Sequence, residues 1–366
     1  MFLRKKITLT LFSVASILSL LSLSSSCDKK INNTEVMNIS LISPWMEDED
    51  KPEKIRFELE NKLQEIIGEK IKIKVTYASD DYLVNLQNIS KGVIDLAFVS
   101  HSSYENYINQ DTTKANKIKP IIQTLTKSFK YDNEKFSYVD GTENDKIITS
   151  AKLQSDLFNQ KKYSQWNYSW NGSIYEHFYD DKLVDFQRGI IWISGTDEVR
   201  NEIVNAWNNK DWNKFRSFGI VHGSADSGSK YLLPERLLKQ HFNLENNSFV
   251  SLAYEITNYS NYFLNGKTKD MLKNNSFHIC FDNEGSYSWT KNTIDNISKY
   301  TPMENEKMEI LALTDPLQYN IAVVNSKKVN EEIQKIITDA FVQLYSSGSD
   351  NWGPTVGFYG YTKYEQ

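Results

Sequence analysis

The chain has 366 residues, with 42 Lys and Arg against 47 Asp and Glu for a net charge of −5, and 40% hydrophobic and 13% aromatic residues. That length supports two lobes with sizeable cores. The acid excess argues against nucleic acid as a partner, and the two cysteines, Cys27 and Cys280, have no metal-finger spacing.

Residues 1–27 read as an export signal. Arg4, Lys5 and Lys6 precede an apolar run from Ile7 to Leu23, three serines, and then Cys27. A cysteine directly after small residues reads as a lipoprotein processing site: cleavage before Cys27 and a diacylglycerol on its sulfur would leave the protein on the outer leaflet of the cell membrane. Ser24 stands three before the cysteine, where Leu is commonest. An uncleaved anchor would give the same outside orientation. Loss of the signal removes three basic residues, leaving 39 (42 − 3) against 47 acidic, or −8. With Cys27 acylated no disulfide remains, so Cys280, in Phe277-His-Ile-Cys-Phe281, is expected as a buried small hydrophobe. Residues 28–36 read as a polar tether.

From Met37 strands alternate with helices. Asn38–Ser43, Lys70–Thr76 and Ile94–Val99 read as strands, and Lys54–Ile67 and Tyr82–Lys91 as the helices between them, the pattern of a parallel sheet with crossover helices. Ligands of such sheets sit beyond the carboxyl ends of the strands, which places Trp45 and His101-Ser-Ser-Tyr104 on one rim. Residues 126–186 have no clear period but are rich in aromatics, and are expected as an ordered insertion. Asp140–Asp145 reads as a turn rather than a cation loop, lacking the full acidic pattern.

Arg188–Gly195 opens a second alternating unit: helices at Asp197–Asn208 and Trp212–Phe218, then strands at Val250–Ile256 and Ser276–Phe281, with Ile321–Val324 a strand and Asn330–Leu344 a helix near the end. The lobes are expected as 37–190 with 315–366, the insertion included, and 191–314. Trp192, Trp207 and Trp212 are expected in the core.

The most suggestive stretch is Phe218–Phe242. Its short apolar strand runs into Gly223–Ser229, which opens an amphipathic helix with Leu233, Leu237, Leu238 and Phe242 on one face. Unpaired N–H groups and the helix dipole make such a start an anion site, with Gly228 allowing close approach and Ser224, Ser227 and Ser229 adding hydroxyls. Ser227 or Ser229 acting only as a cap explains the stretch equally well. Asp282-Asn-Glu-Gly-Ser-Tyr-Ser-Trp289, after another strand, sets Asp282 and Glu284 beside Tyr287 and Trp289, suited to a cation held by charge and ring faces, or to a solvated turn.

Asp81-Tyr82, Gly92-Val-Ile-Asp95, Ser102-Ser-Tyr104 and Ser224-Ala-Asp-Ser-Gly-Ser-Lys-Tyr-Leu-Leu-Pro234 together resemble the phosphonate-binding family of ABC importers. Tyr138-Val-Asp-Gly-Thr142, Arg188–Ile193, Ala206–Arg216, Phe218–Gly223 and Glu284–Thr290 are similar, more closely, to the mycoplasmal high-affinity transport lipoproteins, over most of the mature chain. The Ser-Gly-Ser run departs from that pattern. The resemblance implies a two-lobed α/β clamshell of the periplasmic-binding-protein type 2, each lobe a mainly parallel sheet flanked by helices. It implies a lipid-anchored, extracytoplasmic, monomeric receptor serving an ABC permease and its ATPase, with thiamine or thiamine pyrophosphate as transported ligand. It also implies that Tyr82 and Tyr104 close on a phosphoryl group held at Ser227 to Ser229, with Ser224 and Asp226 among the ligand-binding residues, while Asp282 holds the cationic part. No cofactor is expected; a divalent cation bridging the pyrophosphate fits its charge, although no residue cluster specifies one.

Alternatives from other classes are a phosphonate or phosphate receptor, a surface phosphohydrolase or glycosidase, and an adhesin. Of the five histidines, His101 and His222 fall at strand ends on the rim. No Gly-x-Ser-x-Gly elbow, His-Glu-x-x-His or phosphate-loop lysine is present, so no enzyme activity is expected.

Overall fold

A computed structural model describes residues 36–44, 51–78, 81–243 and 248–365, all within one unit, Glu35–Gln366. The signal segment, Cys27 and Trp45 lie outside the described residues.

The first sheet contains β1 (Val36–Leu41), β2 (Lys72–Tyr77), β3 (Leu96–Val99) and β4 (Ile118–Phe129), and β5 (Tyr179–Val184) pairs onto β4. After β6 (Phe186–Gln187) the chain enters the second sheet with β7 (Gly189–Gly195), β8 (Ile220–His222), β9 (Phe263–Asn265), β10 (Ile279–Asn283) and β11 (Lys307–Leu313). It returns through β12 (Leu317–Gln318) to β13 (Ile321–Asn325) and β14 (Gly360–Lys363) in the first sheet.

The two sheets share one plan. The first has the order β2-β1-β3-β13-β4 with β14 beyond, and the second β9-β8-β10-β7-β11. In each, three parallel strands come first, then one reversed strand, then a fourth strand running with the first three. The reversed strands, β13 and β7, are the first regular ladder strands after each crossing. The crossings themselves meet as a small antiparallel ladder, with Leu317 opposite Gln187 and Gln318 opposite Phe186.

The cores follow from the sequence pattern. Leu59, Leu63 and Ile67, spaced i and i+4 on the helix Lys51–Ile67, join Ile39, Ile73 and Val75 beneath the first sheet. Ile191, Trp192, Cys280 and Phe281 lie under the second, and Trp192, Trp207 and Trp212 are at most 1% exposed. The aromatic insertion does not pack as part of the first lobe. Ile147, Ala151, Trp166 and Phe178 share the second sheet's core, because the helix Lys146–Phe158 lies against β11.

The segment read as a strand at Val250–Ile256 is the helix Leu252–Asn258. Ser251 caps it by accepting from Tyr254 N, Glu235 accepts from Leu252 N, and the buried Glu255 pairs with Arg216 at 3.0 Å. These local acceptors favour a helix over the alternating pattern. Asp145 takes the N–H groups of Val139, Asp140 and Gly141 and caps the helix Lys146–Phe158, so Asp140–Asp145 is a turn. Among the described residues no helix is long and apolar enough to cross a membrane.

Candidate binding cleft

The carboxyl ends of the strands from both sheets converge on a cleft of about 840 Å³. One wall begins after β3. Ser100 caps the helix His101–Asn109 by accepting from Ser103 N, and its hydroxyl donates to Ser103 Oγ at 2.7 Å. Ser102 and Ser103 therefore stand at the helix start, whose first N–H groups have no acceptor within the helix. Tyr82 opens the neighbouring helix Tyr82–Lys91, capped by Asp81, and its hydroxyl is 3.4 Å from Asn320 Nδ2.

The facing wall is the stretch after β8. Ser227 Oγ accepts from Lys230 N, capping one turn of π-helix, Gly228–Leu232, that leads into the helix Leu233–His241. The hydroxyl of Ser229 donates to Asn283 Oδ1. A Cβ on Gly228 would lie 3.2 Å from Leu317 Cδ2 and 3.5 Å from Ser102 Oγ, so the two serine-rich starts meet across the cleft. Ser224 and Asp226 are exposed at its mouth.

Thus Tyr82, Ser102, Ser103, Ser224, Asp226, Ser227, Gly228 and Ser229 line one cleft. Glu284 and Trp289 instead line a chamber of about 150 Å³ beside it, which shares Gln187, Asn283 and Tyr319 with the cleft wall.

Other expected contacts fall elsewhere. Asp282 is 4% exposed and is spent inside the second lobe: its carboxylate pairs with Lys230 at 3.0 Å and accepts from Thr268 and Ser286 hydroxyls. Tyr287 is fully buried among Phe158, Phe178 and Trp192, because the 3-10 turn Ser286–Trp289 directs it under the sheet. Tyr104 packs with Leu86 and Val99, and His101, 8% exposed, lies beside Tyr364 and Glu105 with burial pulling its pKa down. His222 is buried with its Nδ1 2.7 Å from Gly223 O, donating to it.

Residues that sequence reasoning missed are amides and aromatics of the crossings and strand ends: Gln187, Asn283, Tyr319 and Asn320. Asn283 sits between the two carboxylates singled out and was findable by its position after β10. The crossings are too short to show a period.

The electrostatics of the cleft are one-sided. Its described lining includes Asp81 and Asp226 and no Lys or Arg. In the chamber, Glu284 accepts from Gln154 Nε2 at 2.7 Å and neighbours Asp132, itself paired with the buried Arg188 at 2.8 Å. Burial, and then the Asp132 charge, push the Glu284 pKa well above its ordinary value. Among the described residues no group of three His, Cys, Asp or Glu is placed to hold a metal ion.

A clamshell with its cleft at the strand ends is the layout of a solute receptor, and comparison with known proteins decides the family. Residues 52–366 match CypI, the extracytoplasmic thiamine-binding lipoprotein. The chain belongs to this family. It is 38% identical to the high affinity transport system protein p37 of Mesomycoplasma hyorhinis over 291 residues, 77% of this chain and 70% of that protein. The p37 protein of Mycoplasma pneumoniae is 33% identical over 358 residues, 92% of this chain and 88% of its own. The solved structure of Mycoplasma hyorhinis Mh-p37, for which a thiamine pyrophosphate transport role has been suggested, superposes with a TM-score of 0.84 at 30% identity, covering 91% of this chain and 95% of that one. The family's fold is therefore the one expected from the sequence, and its members are described as transport and binding proteins.

Proposed function

We propose that this chain is the solute receptor of an ATP-driven importer, held outside the cell membrane by a lipid on Cys27, and that it binds thiamine or a phosphate ester of thiamine between its lobes. The observation that carries this reading is the make-up of the cleft wall. Two serine-rich helix starts face each other, with Asp81 and Asp226 beside them and an aromatic chamber behind. N–H and O–H donors can hold a phosphoryl group, while the wall, acidic and without Lys or Arg among its described residues, accepts a permanent cation such as thiazolium. A bare phosphonate or phosphate would use only the donors and meet the acidic groups as repulsion.

Both lobes contribute to the wall, so a ligand there bridges them and favours closure, which a permease can read. The test is calorimetry on the full-length chain in detergent with thiamine, thiamine pyrophosphate and inorganic phosphate. Heat with the vitamin forms and none with phosphate is expected. If millimolar thiamine and thiamine pyrophosphate give neither heat nor a thermal shift, the reading fails.

A further inference from the structure

The chamber beside the cleft differs from the cleft in size, wall and charge. Its volume of about 150 Å³ matches a cavity that accepts one benzene-sized ring. Phe129, Tyr179, Phe186, Trp289 and Tyr319 supply its apolar surface. They come from the long strand β4, from β5, from the crossings and from the turn after β10, so the chamber sits beside the ladder where the crossings meet. Trp289 also reaches the first lobe's tail: a Cβ on Gly357 would lie 3.3 Å from its Cζ2.

The polar groups of the chamber are tied to one another. Asp132 and Glu284 neighbour one another, burial raising the pKa of each, and Arg188 pairs with Asp132 at 2.8 Å. Lys127, at the rim, faces Asp181 at 3.5 Å and Glu176 at 3.8 Å. Asn283 engages the Ser229 hydroxyl through Oδ1, which leaves its amide Nδ2 as a donor. A hydrogen-bonding floor between ring faces suits a flat heteroaromatic ring, and with Lys127 in the lining and Arg188 on Asp132 the chamber is less suited to a cation than the cleft wall at Asp81 and Asp226.

We propose that the chamber is a ring-recognition subsite for a flat, amine-bearing heteroaromatic ring, with the Glu284 carboxyl and the Asn283 amide reading its nitrogen edge between Trp289 and the facing rings of Phe129, Tyr179 and Tyr319. The inference rests on the thiamine reading above and orients the ligand. The aminopyrimidine enters the chamber, and the thiazolium and any phosphate stay in the serine-lined cleft.

The test uses the two halves of the vitamin on the full-length chain in detergent. The free hydroxymethyl aminopyrimidine is titrated directly by calorimetry and as a competitor of thiamine. It should bind and compete, and Glu284→Leu should weaken both it and thiamine about tenfold or more, the loss of one hydrogen bond to a buried partner. Glu284→Gln, which keeps the shape and the acceptor for Gln154, should retain most of the affinity, while the hydroxyethyl thiazole should be insensitive to both changes.

Absence of pyrimidine binding to the wild-type chain overturns the proposal without recourse to any variant. Unchanged affinity in a folded Glu284→Leu chain overturns it as well. If thiamine itself does not bind while the pyrimidine half does, the vitamin reading falls and the ring subsite stands.

Discussion

Gly285 shows how one residue sets up the site. It holds φ +73, in the left-handed region, and a Cβ there would fall 1.7 Å from the Phe129 ring. The turn places Glu284 at the chamber, drives Tyr287 into the core and brings Trp289 back to the chamber wall. A left-handed conformation costs an L-residue about 1–2 kcal/mol, and overpacking a rigid ring adds about 1–3 kcal/mol. Gly285→Ala should therefore lower unfolding stability in urea by about 2–5 kcal/mol. Gly348 has φ +69 with nothing within 4 Å of a Cβ, so Gly348→Ala isolates the backbone share. Equal costs for the two would show that the Phe129 contact is not what constrains the turn. The residue scale was also where the sequence was least legible. Asp282, Glu284, Tyr287 and Trp289 look like one constellation in the chain, but a strand end followed by a left-handed turn sends them to different places: Asp282 to Lys230, Tyr287 to the core, Glu284 and Trp289 to the chamber.

At the scale of elements, the helix Leu233–His241 is anchored at its far end by its last residue. His241 is 2% exposed and stacks on Trp207 with ring centroids 3.7 Å apart; its Nε2 donates to Trp207 O, and its Nδ1 accepts from the Tyr138 hydroxyl at 3.2 Å. Trp207 in turn donates to Gly141 O, so the pair ties this helix, the helix Asp197–Asn208 and the Asp140–Asp145 turn together. Burial lowers the His241 pKa to about 4, with Lys210 acting in the same direction and Asp145 and Asp140 opposing it. A histidine bound neutral in the fold and free to protonate near pH 6.5 when unfolded costs stability as pH falls below 6.5, down to about 4. That shift corresponds to roughly 3 kcal/mol. The thermal midpoint should fall between pH 7 and pH 4, and His241→Phe, which keeps the stacking but cannot protonate, should flatten that decline even if it lowers stability at pH 7. An unchanged slope in the variant would assign the acid sensitivity to other groups. Elements with strong periods were legible: the helices after β1 and β2, the apolar strands and the serine-capped starts. The segment 250–256 was not, because Ser251, Glu235 and Arg216 settle its fate through contacts that a local pattern does not contain.

The molecule as a whole is two copies of one strand plan joined by two crossings, and the sequence exposed this as two alternating units. What it left open was how the units face each other, since the crossings amount to β6 and β12, two residues each. Their facing decides the charge of the cleft. With Asp81 and Asp226 in the wall and no basic side chain among its described lining, the field there favours a cation. Thiamine carries one positive charge, and its pyrophosphate carries more negative charge than the thiazolium offsets. Opposite charges near a protein surface interact by roughly 1–4 kcal/mol at contact distance, and salt screens this within about 8–10 Å. Thiamine binding should therefore weaken modestly as salt rises. Thiamine pyrophosphate should instead bind weakly in a chelator, tighten as salt screens the acidic wall, and gain about tenfold or more with millimolar magnesium, which brings its own positive charge to the phosphates. Calorimetric titrations of both ligands across salt, with and without magnesium, separate these trends. Tight pyrophosphate binding in chelator that weakens with added salt would require a basic contact that the described wall does not contain, and would sink the electrostatic argument.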